Sequence, residues 1–189
     1  MREKLQANPA TTASEELPAP QGIGTAVAFD WGLTVELLLL PILPFILGVP
    51  SPYKLPRVNS VLSTILSTAA LWVIAILFAI FGEGIRRGWR WTRPIQLVGN
   101  TLGFVGGFFL LPGTLKSIQA GDYLAVVPAF ILLFVSPVIA WRLSRPATAQ
   151  WFARVTSAQA RKRHGGKWVW FIVLWSGIGG ALVALGVYK

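Results

Sequence analysis

Five stretches of the chain are apolar over enough residues to be read as separate elements, with proline-rich, basic or short polar segments between them. They run from about 26 to 49, 60 to 81, 95 to 115, 123 to 141 and 168 to 188. A helix rises about 1.5 Å per residue, so about 20 residues cross a hydrocarbon core of about 30 Å. The pattern therefore predicts an all-α integral membrane protein, a bundle of about five transmembrane helices over residues 26–189. Residues 1–25 are polar, with Glu15, Glu16, Pro18 and Pro20. They read as a disordered tail, not as a signal peptide, which would follow its basic start directly with an apolar run.

The first apolar segment is the least regular. It carries Asp30, Glu36, Pro41 and Pro44. Each proline removes a backbone donor, which predicts a kinked span. The dense part, 37–49, also suits a re-entrant segment, and on that alternative four spans remain. Pro50, Pro52 and Pro56 mark a stiff connection. The second segment is expected to stop at Gly82-Glu83-Gly84. A basic loop with Trp89 and Trp91 follows it, and Pro94 suits the first turn of the third helix. Pro112 and Gly113 are expected to loosen the far end of that helix. The loop over 116–122 is nearly neutral, and the longest connection runs over 142–167.

Charge sets the orientation. The chain has 17 Lys and Arg against 7 Asp and Glu, a net charge of +10. In a chain this apolar, basic residues beside apolar runs point to lipid headgroups, and nucleic acid is not expected as a partner. With the N-terminus inside, 13 Lys and Arg fall on the inner side and 4 on the outer. Basic loops belong in the cytoplasm. The expected location is a cell inner membrane, multi-pass, with a non-cytoplasmic C-terminus. Trp and Tyr near the segment ends fit the headgroup layers.

Candidate chemistry is sparse. There is no Cys, which excludes disulfides, iron–sulfur clusters and thiolate metal sites. There is no HExxH, no phosphate loop and no carboxylate pair at metal spacing, so no metal site, no cofactor and no catalytic residue is expected. Glu36 is the candidate proton or ion site, because an ionisable group inside a membrane is costly unless partnered. A lone carboxylate in a first helix is similar to what small proton-coupled multidrug exporters use. The competing expectation is that Glu36 sits near the interface or pairs with hydroxyls of the second segment, such as Thr64 or Ser67. Asp30, beside Trp31, is expected at the interface.

Gly99, Gly103 and Gly107 recur at a spacing of four and share a helix face that lets backbones approach. Ser176, Gly180 and Ala184 do the same, with Gly177 beside them. These faces are expected to serve helix packing or a subunit interface. Arg86, Arg87, Arg90 and Arg93, and the run Arg161-Lys162-Arg163, are expected to meet anionic lipid. Trp151, Phe152 and Val155 can share one side of a short helix lying on the membrane. His164, the only His, is expected to be solvated. Together these features suit a non-catalytic accessory or scaffold subunit of a larger membrane protein complex, in contact with lipids and other membrane subunits. A small proton-coupled transporter or channel using Glu36 is the alternative.

Overall fold

The computed structural model describes residues 20–48, 60–123 and 125–186. The stiff connection after Pro50, most of the N-terminal tail, Tyr53 and Tyr188 lie outside them. The described residues form helices and no strand: α1 (Ile23–Leu39), α2 (Leu43–Leu47), α3 (Ser60–Arg86), α4 (Thr92–Gln119), α5 (Val126–Phe130), a π-helical turn (Ile131–Val135), α6 (Ser136–Ser144), α7 (Pro146–Arg154), α8 (Ser157–Arg163) and α9 (Lys167–Gly186). Four segments are long and apolar enough to cross a membrane: Val61–Arg86, Thr92–Gln119, Val126–Ser144 and Lys167–Gly186. This is compatible with an integral multi-pass membrane protein.

Several boundaries differ from expectation, each for a local reason. Helix α1 begins at Ile23, inside the expected tail. The first apolar segment is not one helix. Its regular hydrogen bonding ends at Leu39 and resumes at Leu43, around Pro41, which has no N–H to give. Helix α3 runs through Gly82-Glu83-Gly84 to Arg86. There Glu83 accepts from Arg86 and Arg87 at 2.6 and 2.5 Å, the i+3 and i+4 pairs that support a helix end. Helix α4 continues past Pro112 to Gln119, so the predicted loosening does not occur. The fourth segment is helical throughout but takes a π turn between Pro128 and Pro137. The Ser136 hydroxyl reaches back to the Ile131 carbonyl there.

The helices pack in two groups. Helix α1 lies between α3 and α9, while α4 packs on the α5–π–α6 segment. Between α1 and α9 the chains run parallel: Gly24 lies against Trp168, Gly32 against Ser176 and Gly180, and Leu40 and Leu43 against Ala184. Gly180 permits this approach. A Cβ there would meet the Gly32 carbonyl, the Val35 side chain and, at 3.0 Å, the Glu36 nitrogen. The Ser176 hydroxyl sits in the same seam, near the Ala28 carbonyl at 3.2 Å and the Ile172 carbonyl at 2.7 Å. Toward α3, the Thr34 hydroxyl bonds the Asp30 carbonyl at 2.9 Å and lies 3.3 Å from the Ala75 carbonyl. Trp31 lies against Gly82.

The main core sits at the basic end. Ile23, Val27, Ile85, Ile139, Leu143, Trp151, Phe152 and Ile172 are buried together. The short helix expected around Trp151 and Phe152 forms as α7, and its aromatic side turns inward. Trp151 and Phe152 point into the protein at 2% exposure each, where they cap both helix groups. A smaller cluster of Leu40, Leu43 and Ala184 holds the far end of α1 and α2 to α9.

The α1–α9 seam makes a direct prediction. Gly180→Leu must displace backbone, so it should destabilise the protein by about 1–3 kcal/mol or more. At Gly177 a Cβ would meet no atom within 4 Å, so this position should accept Leu with little change. Thermal unfolding of the two variants in detergent, followed by circular dichroism, measures the difference.

Candidate functional site

Two clusters of buried polar groups stand out among the described residues, and neither is the expected one. The first is a chain of hydrogen bonds between the two helix groups. Asp30 is fully buried on α1. Its Oδ2 accepts from the Gln96 Nε2 of α4 in a very short contact. The Gln96 Oε1 in turn accepts from the Asn100 Nδ2 at 2.6 Å, and that same Nδ2 bonds the Gln96 carbonyl at 2.9 Å. Two oxygens in this chain have no partner, Asp30 Oδ1 and Asn100 Oδ1. Asp30, expected at the interface, has its side chain buried under Gly82 and against α4.

Gln96 and Asn100 carry the chain, and neither was among the residues expected from the sequence. A signal was there. Thr92, Gln96 and Asn100 recur every fourth residue along the first part of α4, and all three are buried. Polar residues repeated at helical spacing within an apolar stretch mark a face that turns away from lipid.

The second place is a clamp at the basic end. His164 follows α8, whose start is fixed by a capping box between Thr156 and Gln159. The Gly165-Gly166 pair then turns the chain into α9. His164 is 6% exposed, which corrects the solvated role expected for it. Its ring lies between Trp151 and Trp168, with centroids at 5.6 and 5.0 Å. The Arg86 guanidinium donates to the His164 carbonyl at 3.1 Å, and the His164 Nδ1 faces the Arg86 carbonyl at 3.4 Å. The end of α3 and the start of α9 are therefore joined in both directions.

The other expected site residues fall as follows. Glu36 is half-buried in the last turn of α1, its backbone against Gly180. Among the described residues it has no ion pair, and the Ser67 hydroxyl goes to the carbonyls of Ser63 and Thr64. Gly103 and Gly107 pack on Leu132, Leu133 and Ser136, while Gly99 meets open space. Arg86 and Arg87 bind Glu83. Arg90 donates to the Ala153 carbonyl at 2.5 Å, and Arg93 to the Leu143 carbonyl at 2.9 Å. Arg90 and Arg93 thus tie the α3–α4 turn to α7 and α6, and Arg86 ties the end of α3 to His164 ahead of α9, while Arg87 stays with Glu83 on α3. Arg161, Lys162 and Arg163 are exposed on the last turn of α8.

Chemically, one carboxyl group and two primary amides can hold a proton or orient helices. They do not make a nucleophile with its base. No group of three metal-ligating side chains occurs among the described residues. In comparisons with known proteins, no family model, no curated protein and no solved structure matches the chain.

The His164 clamp responds to acid in a defined sense. Burial pushes the imidazole below its ordinary value, and Arg163 and Arg86 add to the shift, against the opposing bond to the Arg86 carbonyl. Below about pH 6.5 the unfolded chain then binds more protons than the folded one. Stability is full above that pH and falls as the pH drops through it. Thermal unfolding should show the wild type losing stability relative to His164→Asn, which keeps a donor near the Nδ1 position, as the pH drops through about 6.5; groups shared by both proteins cancel in that difference.

Proposed function

We propose that this chain is a non-catalytic accessory or scaffold subunit of a larger membrane protein complex. The observation that carries this reading is a second face of α4. Gly99, Gly106 and Gly113 recur every seventh residue, and no described atom lies within 4 Å of where their Cβ atoms would stand. Val98, Leu102, Phe109 and Leu110 flank them and are exposed. Glycine weakens a helix by about 1 kcal/mol relative to alanine, and against lipid tails it returns nothing. Against another helix it allows close backbone approach. Gly103 and Gly107 meet such a need inside the chain, so the uncovered stripe fits a helix of another subunit.

The polar inventory agrees with a structural role. The arginines of the α3–α4 turn bind carbonyls and Glu83 of the same chain, and the exposed Arg161, Lys162 and Arg163 at the same end add basic charge suited to anionic headgroups.

We also read the first segment as a fifth span. Helices α1 and α2 together accompany α9 from Trp168 to Ala184, and α9 is itself long enough to cross. With the basic end in the cytoplasm, a reporter fused after Lys189 should report the non-cytoplasmic side, and one inserted at Gly88 the cytoplasm. A cytoplasmic C-terminus would exclude this topology.

The second reading, a small proton-coupled transporter or channel, draws on Glu36, a carboxyl group with no ion pair among the described residues. One preparation separates the two. Purified in mild detergent from its native membrane, a subunit should co-migrate with larger partners. Gly106→Leu should release it while helix content and thermal unfolding stay unchanged, since the site is open. A lone monomer or homodimer in the wild-type preparation favours the transporter.

A further inference from the structure

We propose that Asp30, Gln96 and Asn100 form a proton-binding site at the seam between the two helix groups, with the proton held on Asp30 Oδ1. This proposal stands apart from the subunit reading and from Glu36.

Two atoms at the seam lack partners: Asp30 Oδ1 and Asn100 Oδ1 are buried with no hydrogen bond. Both are acceptors, so the site lacks a donor and has none to spare. The polarity of the chain then locates the missing donor. The Gln96 carbonyl accepts from the Asn100 Nδ2, which fixes that amide and leaves its Oδ1 facing away. The same Nδ2 bonds the Gln96 Oε1, which turns the Gln96 Nε2 toward Asp30 Oδ2. Asp30 Oδ2 is therefore committed as an acceptor. Oδ1 is the carboxyl oxygen left to carry a proton.

The surroundings give an ionised Asp30 no counter-charge. On α1 the next ionisable group is Glu36, an acid. On α3, Glu83, Arg86 and Arg87 are engaged with one another. On α4, Arg93 is spent on the Leu143 carbonyl. The packed parts of α6 and α9 bring Arg142, beside Gly22, and Lys167, exposed at the start of α9. The nearest wall of Asp30 is apolar or backbone: the Asp30 Cβ lies 3.1 Å from the Cβ position of Gly82, under Trp31. A buried charge without a partner is expensive. The neutral acid, with a donor on Oδ1 and an acceptor on Oδ2, matches the polarity of the chain. The proton exchanges with bulk water, a carboxylate and hydronium against a carboxylic acid and water.

The chain has two aspartates, Asp30 and Asp122, which makes the test clean. In an Asp122→Asn background, aspartate labelled at the carboxyl carbon reports Asp30 alone. Infrared spectra of the full chain in detergent at neutral pH should contain a protonated-carboxyl band that shifts on transfer to heavy water. Gln96→Leu should shift the band again by removing the donor to Oδ2. Asp30→Asn, which places an amide donor at Oδ1 and an acceptor at Oδ2, should lose the band and keep the helix content. A labelled signal that appears only as ionised carboxylate at neutral pH, as expected if a bridging water satisfies both oxygens, would overturn the proposal. So would a carboxyl signal that changes with sodium at constant pH, which would assign the site to a monovalent cation.

Discussion

The fold depends on how closely α1 approaches α9. At Gly32 and Gly180 two backbones meet with no side chain between them. In an apolar surrounding there is little hydrophobic gain from pressing helices together, so contact area and hydrogen bonds must supply the attraction. Small residues supply the area. Ser176 and Thr34 supply bonds to carbonyls on α1 and α3. Because α1 is held at this depth, Asp30 is carried into the interior, where Gln96 of α4 meets it. One close approach thus sets the position of the main buried polar group.

The two ends of the molecule are held by different means. At the basic end, Trp151 and Phe152 fill the space beneath the helix groups, and arginines bind carbonyls across the α3–α4 turn. His164 and Arg86 join α9 to α3 in the same layer. At the far end the contacts around Leu40 and Ala184 belong to one helix group. The Asp30–Gln96 bond lies between these regimes and links the groups through polar contact. A change of charge at this seam would act where the groups have their fewest alternatives, which gives the proposed proton site a structural consequence.

The sequence pattern made the four long apolar helices legible, along with the break in the first segment and the basic end. Those features follow from local composition: a run of apolar residues has one economical backbone conformation in an apolar medium, because every N–H must be paired within the helix. Pro41 is a local matter for the same reason. The direction in which a polar side chain points is not local. Asp30 beside Trp31 looks interfacial until α3 and α4 are placed over it. His164 in a basic stretch looks solvated until Trp151 and Trp168 close on it. Gly99, Gly103 and Gly107 look equivalent, yet two are packed and one is open, because the face of α4 that meets α6 is set by its neighbours.

By itself, then, the sequence determined the helical class, the position of the four long apolar helices and which end is basic, since helix formation and charge are properties of adjacent residues. The tertiary structure decided which carboxyl group is fully buried, which arginines remain exposed and which glycines are uncovered. Those outcomes depend on contacts between segments far apart in the chain, such as Asp30 with Gln96 or Arg86 with His164, and no local pattern specifies the register in which such segments meet.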